Sequence, residues 1–215
     1  MQSSFRHYLL VIYVSASFSE VSLAHDLLAQ PIPDWELATT NNNVAIYQQD
    51  TDSRHIKVRG IVHVHNSPEA FIELLEQTHL APKWIAHNQA VHLLKENDNV
   101  RLVHSKFDAP WPIRDRDMVT QSITYVEQGN VYIDIVDASE KYPESENFVR
   151  IKGVSGRWSL SAHANRFTYI EYQGQANPGG NIPIWLANRT LISSISETFE
   201  NIVQQLDNPS LVPQD

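Results

Sequence analysis

Four consecutive charged residues, Arg114-Asp115-Arg116-Asp117, form the segment of this sequence that most resembles an acid–base site. Two carboxylates held in a cleft beside guanidinium groups could act as a general acid and a general base. A hairpin turn with exposed charges is the other interpretation. The four residues alone do not decide between catalysis and a structural role.

Among the ten histidines, His63 and His65 place two imidazoles on one face of a predicted strand. Zinc sites use at least three protein ligands. No third histidine or glutamate follows at a recognised spacing such as H-E-x-x-H. We therefore expect solvent-facing strand histidines and no metal site.

The sequence has no cysteine, and it contains no G-x-S-x-G elbow, P-loop or dinucleotide-binding fingerprint. It therefore offers no activated nucleophile around which an enzyme could be built, and we expect neither an enzyme nor a cofactor. The net charge of −9 and the absence of a Lys/Arg cluster argue against nucleic acid as a partner.

The N-terminus has the layout of a cleaved secretory signal. Arg6 is followed by an apolar stretch over residues 8–18 and by small residues ending at Ala24. A membrane anchor is the alternative, but the stretch is about half the roughly 20 residues that a bilayer crossing requires. We predict a signal peptide over residues 1–24 and an exported protein, periplasmic or secreted, with no disulfide bond.

The elements that must position any site alternate between strand and helix patterns. A strand is predicted over residues 56–65, and Ser67-Pro68 starts a helix carrying Phe71, Leu74 and Leu75. A second short helix is expected around Trp84. Residues 91–136 show three blocks of alternating apolar and polar residues, which predict antiparallel strands joined by hairpins.

A polar loop is predicted over residues 138–147, and two strands follow over 148–160 and 167–174. Pro183 then opens a long helix with an apolar stripe that must lie against a large surface. The stripe consists of Leu191, Ile192, Ile195, Phe199, Ile202, Val203 and Leu206. A curved sheet and such a helix either pack together directly or enclose a ligand.

Four motifs in this chain resemble those of START (StAR-related lipid transfer) domains. They are Pro82-Lys83-Trp84, the run from Trp111-Pro112 to Asp117-Met118-Val119, Phe148-Val149-Arg150-Ile151, and the run from Gly180 through Pro183-Ile184-Trp185-Leu186 to Asn188. The motifs stand in the family's order and cover nearly the whole chain after residue 24. The resemblance identifies residues 25–208 as one START-like domain, with a flexible tail over 209–215.

This resemblance implies an α+β helix-grip (START/Bet v 1-like) fold, in which a curved antiparallel sheet wraps a long C-terminal helix around an internal cavity. It implies a monomer that holds a lipid or another hydrophobic small molecule there, for transport or sequestration outside the cytoplasm. Residues 139–147 and 178–191 would form the lid. Arg116 and Asp117 would tie loops together, so that substituting them harms folding before binding.

By motif position, Arg150 and then Asp108 are the residues that would orient the ligand's polar head. Arg150 could instead pair with Asp134 or Asp108 to satisfy a strand arginine. The resemblance also implies that the cavity is lined by Trp111, Ile184, Leu191, Ile195 and Phe199. Trp185 could touch a bilayer during lipid exchange, although we favour core packing for it.

Two further functions stay open at this point. Relatives of the helix-grip fold include cyclases and aromatases that use the same cavity for chemistry. A partner-dependent adaptor is the third hypothesis, and a large exposed apolar patch would be its signature.

Overall fold

The computed structural model describes residues 32, 34–41, 43–52, 55–163 and 167–207. The predicted signal segment, residues 1–24, and the predicted tail, residues 209–215, lie outside these ranges. In chain order the elements are β1 (Glu36–Asn41), β2 (Val44–Gln49), β3 (Lys57–Val64), α1 (Pro68–Glu76), α2 (Ala81–Trp84), β4 (Asn88–Asn97), β5 (Val100–Phe107), β6 (Arg116–Glu127), β7 (Asn130–Asp137), β8 (Val149–Arg150), β9 (Lys152–His163), β10 (Phe167–Asn177) and α3 (Ile184–Leu206).

The strands form one sheet in the order β1-β2-β3-β10-β9-β7-β6-β5-β4, and all neighbours along this path are antiparallel. The two-residue strand β8 lies off the path and pairs in parallel with the beginning of β6. This architecture confirms the predicted α+β fold with an antiparallel sheet and a C-terminal helix.

Two details of the strand prediction were wrong. The middle block of residues 91–136 is two strands, β5 and β6, because a loop over residues 108–115 divides it. The predicted strand over 148–160 is broken at Ile151, because the chain changes its neighbours there. Val149 and Ile151 donate their N–H groups to the backbone carbonyls of Asp115 and Asp117 at the beginning of β6, whereas β9 pairs with β7 and β10.

Helix α3 begins directly after Pro183, as predicted, and runs along β3. At its start, Asn188 accepts a hydrogen bond from the Ile56 N–H at 3.4 Å. At its end, Asn66 donates to the Leu206 carbonyl at 3.1 Å. Between them a Cβ atom on Gly60 would lie 2.5 Å from the Phe199 ring, so only glycine lets the helix approach this closely.

Two apolar clusters stabilise the sheet from its two faces. The larger lies between the sheet and the helices and includes Phe71, Trp84, Trp158, Leu160, Ile170, Phe199 and Ile202. The smaller comprises Ala45, Tyr47 and Ile61 on the other face, covered by Ile32 and Trp35. The face that meets α3 is called the concave face below.

Candidate functional site

The concave face of the three central strands includes a lattice of nine residues in three cross-strand rows. The rows are Ile170-Leu160-Val131, Tyr172-Trp158-Ile133 and Gly174-Gly156-Ile135, each written from β10 through β9 to β7. None of the nine is charged, and only Tyr172 and Trp158 carry a polar group. The lattice is therefore a surface suited to apolar molecules.

One end of this lattice is filled by protein. The Trp158 ring lies 4.9 Å from the ring of Phe71 in α1 and 5.7 Å from the ring of Phe199 in α3. Leu160, Ile170 and Phe199 are completely buried. Phe199, predicted to line the cavity, thus lies in the packed core that joins the helix to the sheet.

The other end of the lattice is looser, and two glycines shape it. A Cβ atom on Gly174 would lie 2.6 Å from Cζ of Tyr172, and one on Gly156 would lie 2.7 Å from its hydroxyl oxygen. The phenol of Tyr172 therefore rests in the space that side chains at these positions would fill. Glycine inside a strand often marks such a close approach.

Tyr172 is desolvated, and yet the surrounding protein does not close over it. Burial raises the pKa of Tyr172 to about 12. The residue is nevertheless only half-buried, so a water-sized molecule still reaches part of it. Within the described residues, no group forms a hydrogen bond with its hydroxyl. A deep residue that keeps accessible surface indicates incompletely filled space at this end.

The first part of α3 covers this looser end. The buried residues of the helix are Thr198, Phe199, Ile202 and Leu206, all in its last nine positions. Ile184, Leu191 and Ile195 are half-buried, and Ile195 packs against the edge of the core cluster. These three predicted lining residues therefore lie on the half of the helix where closed packing is missing.

Arg150 is buried beneath the loop over residues 138–147, and protein groups occupy all its directions of donation. Its Nε and Nη2 donate to the two carboxylate oxygens of Asp117 at 2.9 and 2.8 Å. Three further bonds reach the backbone carbonyls of Ser139, Tyr142 and Pro143 at 3.0 to 3.1 Å. Arg150 therefore anchors this loop to the sheet.

Arg150 and Asp108 were predicted to orient a ligand head, with an ion pair of Arg150 as the alternative. The structure shows the ion pair, and its partner is Asp117. Asp134 pairs with Arg157 instead, and Asp108 is an exposed loop residue that accepts a hydrogen bond from Gln89 at 2.7 Å. The correct partner, Asp117, also contacts His104 at 2.8 Å. As predicted, Asp117 has a structural role, because through Arg150 it ties the loop over residues 138–147 to the sheet.

Two opposing effects of the surroundings act on the pKa of the Asp117 carboxylate. Burial raises its pKa, but the hydrogen bonds from Arg150 and His104 outweigh burial and hold the pKa below the ordinary value of 3.8. A depressed folded-state pKa stabilises the fold above the unfolded-state pKa, and this stabilisation disappears as the pH falls through the folded-state value.

We expect Asp117→Asn to reduce the dependence of stability on pH in the acid range. Urea unfolding from pH 7 down to pH 3 measures this change. The gap in the free energy of unfolding between wild type and variant should be largest near pH 7 and should shrink below about pH 4. A gap that stays constant over this range would show that the pKa of Asp117 is not depressed.

Three loops meet at the open end. They span residues 108–115, 138–148 and 178–183, and a Cβ atom on Gly179 would lie 3.0 Å from the Arg150 carbonyl oxygen. Trp111 stands on the first of them and Trp185 directly after the third, with 92% and 67% of their surfaces exposed. Trp111 therefore does not line the interior, and the core packing favoured for Trp185 was wrong.

The remaining candidates lie away from this interior. His63 packs against Tyr169, with ring centroids 5.2 Å apart. The pKa of His63 is lowered, mainly because the imidazole is partly buried and to a smaller extent because His163 lies nearby. Among the described residues no group of three metal-binding side chains could hold an ion.

An open groove of about 350 Å³ runs outside the interior, between Thr39 of β1 and the helix residues Arg189 and Glu200.

Five residues of the site and its anchor were not predicted from the sequence, namely Tyr172, Trp158, Gly156, Gly174 and His104. The two glycines were a usable signal, since each interrupts an otherwise regular strand pattern on the same face as an aromatic residue. His104 carried no such signal, because its contact with Asp117 depends on the pairing of β5 with β6.

A sheet that grips a long C-terminal helix across a partly open apolar interior defines a helix-grip protein. The model of the START domain family matches residues 23–211. The chain belongs to the START domain family, whose members bind lipids or other hydrophobic ligands in a cavity. In the described part of the chain, no helix has both the length and the apolar character needed to cross a bilayer.

Relatives in bacteria and mammals extend this likeness. An uncharacterized protein of Pseudomonas aeruginosa is 29% identical over 171 residues, covering 79% of this chain and 85% of its own. The phosphatidylcholine transfer protein of the mouse is 20% identical over 183 residues, covering 81% and 85%. A crystal structure of a STAR-related lipid transfer protein fragment from Xanthomonas axonopodis has a TM-score of 0.76 at 25% identity, covering 81% of this chain and 99% of that one.

Proposed function

We propose that this chain binds one lipid-like molecule between the concave face and α3, and carries or sequesters it outside the cytoplasm as a monomer. The observation that carries the proposal is the uncharged lattice of β7, β9 and β10, which packs against Phe71 and Phe199 at one end and leaves Tyr172 only half-buried at the other. Each buried CH₂ group contributes roughly 0.8 kcal/mol, so one acyl chain could supply most of the binding free energy. The transfer function in the name of the mouse relative supports this proposal.

Binding without chemistry is the role that the interior residues support. General acid–base or nucleophilic catalysis requires a titratable group near the ligand with a pKa close to the working pH. The titratable side chain on the central lattice is Tyr172, and burial moves its pKa away from neutrality, to about 12. The proposal is therefore that the ligand is released unchanged.

Export rests on the signal predicted over residues 1–24. Its test is N-terminal sequencing of the protein recovered from the periplasmic and culture fractions of its own host. The mature chain should begin at His25 and should be missing from the cytoplasmic fraction. An intact chain beginning at Met1 in the cytoplasm would contradict this part of the proposal.

Contact with a bilayer is the expected role of the exposed Trp111 and Trp185. Both rings flank the end at which the interior is open, and tryptophan favours the interface between lipid and water. A rim that touches the membrane lets a lipid pass inside without crossing bulk water. We expect the double change Trp111→Ala and Trp185→Ala to weaken binding to phosphatidylcholine vesicles by about tenfold or more.

Vesicle flotation measures this effect. Val126→Ala is the control, because Val126 is an exposed apolar residue too, at 69%, but lies near the opposite end of β6. The control should float with vesicles as the wild type does. Equal flotation of the double variant and the wild type would exclude the rim as the membrane-contact surface.

Ligand binding itself is tested with N-phenyl-1-naphthylamine, an uncharged dye that fluoresces strongly in apolar surroundings. The purified protein should bind the dye at one site, and extracted host lipids should displace it. Absence of a saturable signal would contradict the proposed function.

A further inference from the structure

The polar groups of the central concave face point to the chemical class of the ligand. On the nine lattice positions these groups are the hydroxyl of Tyr172 and the indole N–H of Trp158, and the two rings lie 4.7 Å apart. Both groups donate hydrogen bonds, and neither has a partner within the described residues. A donor that is only partly accessible to water and has no protein partner gains a hydrogen bond when a ligand acceptor is placed beside it.

The position of Tyr172 is fixed by the sheet. Gly156 and Gly174 leave space beneath the phenol that any larger residue would fill, and the ring packs at a tilt of 43° against Trp158. The hydroxyl is thus held over the row Gly174-Gly156-Ile135, at the end of the lattice that α3 leaves incompletely packed. A preorganised donor contributes more to binding than one that must first be ordered.

No charged group of the described residues acts on the Tyr172 hydroxyl, and the buried guanidinium of Arg116 lies further along this end, beside the loop that carries Gly180. Arg150, the cation predicted to meet a ligand head, is turned to the loop over residues 138–147 and saturated by Asp117 and three carbonyls. Burial alone raises the pKa of Tyr172, and no neighbouring charge contributes to the shift. A phosphate or carboxylate beside this hydroxyl would lose its hydration without gaining a counter-charge.

We propose that the Tyr172 hydroxyl is the polar anchor of the internal site, and that it donates a hydrogen bond to an uncharged oxygen of the ligand, such as a ketone or ester carbonyl. This inference rests on the proposed function and adds the class of ligand to it. A charged head group, where the ligand has one, lies outside, toward the rim that carries Trp111 and Trp185.

The test compares two dyes on wild type and Tyr172→Phe. Laurdan is an uncharged naphthyl ketone with a twelve-carbon chain, and its emission shifts to the red when its carbonyl accepts a hydrogen bond. N-phenyl-1-naphthylamine has no such oxygen. We expect Tyr172→Phe to weaken Laurdan binding by about three- to tenfold and to shift the bound emission to the blue. Binding of N-phenyl-1-naphthylamine should be unchanged.

Tyr132→Phe is the matched control, because it removes the same hydroxyl from β7 on the opposite face of the sheet, where Tyr132 stacks on Tyr125. It should leave both dyes unaffected. Unchanged affinity and emission of Laurdan in Tyr172→Phe would overturn the anchor while leaving the proposed function intact. Failure of wild type to bind either dye would overturn both.

The charge of the ligand is tested by competition at pH 8. The concentration of methyl laurate that displaces Laurdan should be at least about tenfold lower than that of laurate. The reason is that the carboxylate of laurate must lose its charge or its hydration to enter the site, whereas the ester carries no charge. The reverse order would overturn the assignment of an uncharged group to this site.

Discussion

Replacing Asp117 with alanine is expected to lower the free energy of unfolding by about 3–5 kcal/mol. The change leaves the guanidinium of Arg150, whose side chain is 2% exposed, without a counter-charge. Breaking one side of a buried ion pair is costly because the remaining charge stays desolvated. Since small domains are stable by about 5–15 kcal/mol, this variant should be close to unfolding.

The matched control is Asp134→Ala, which also breaks an aspartate–arginine pair on the same sheet. Arg157 and Asp134 keep 51% and 35% of their side-chain surfaces exposed, so water replaces the lost partner. We expect a loss of about 0–1 kcal/mol. Urea unfolding at pH 7 measures both variants. Equal losses would mean that Arg150 is hydrated in solution and that the loop over residues 138–147 is not anchored as described.

Phe199→Ala is expected to have an effect of similar size, a loss of about 3–5 kcal/mol. The ring is completely buried between Gly60, Trp158 and the helix, so its removal leaves a cavity in the packed end of the interior. Leu191 belongs to the same apolar stripe but is half-buried on the first part of α3. Leu191→Ala should therefore cost only about 1 kcal/mol.

Ligand affinity should rank these two variants in the opposite order to stability. Leu191→Ala removes apolar surface next to the proposed ligand, so Laurdan affinity should fall by about fivefold. Phe199→Ala, studied below its unfolding transition, should change this affinity less. If Leu191→Ala destabilised the chain as much as Phe199→Ala, the interior would be packed along the whole helix, without room for a ligand.

The sequence predicted the elements well where the signals were local. Pro183 located the start of α3, and the polar run over residues 138–147 located a surface loop. The family motifs predicted the fold because they mark the loops and the helix entry that the helix-grip arrangement requires. The break at Ile151 was missed because it arises from the parallel pairing of β8 with β6, between segments about 30 residues apart in the chain.

The site was predicted less well, since its properties depend on what opposes each residue in space. Phe199 and Leu191 both belong to the apolar stripe of the helix, yet β3 and Trp158 close around only Phe199. Arg150 was predicted to orient a ligand head, with an ion pair as the alternative. Its partner Asp117 depends on the pairing of β8 with β6, which no local pattern contains. Tyr172 has the sequence pattern of an ordinary strand residue, and it is the pairing of β9 with β10 that brings Gly156 and Gly174 beneath its ring.

The central claim is that the interior holds one lipid-like molecule, and native mass spectrometry of the protein purified from its own host tests it most directly. We predict a stoichiometric mass increment that organic extraction identifies as a chemically unchanged lipid-like molecule with an uncharged oxygen. A chain with no increment, which also fails to bind N-phenyl-1-naphthylamine and Laurdan, would contradict the account.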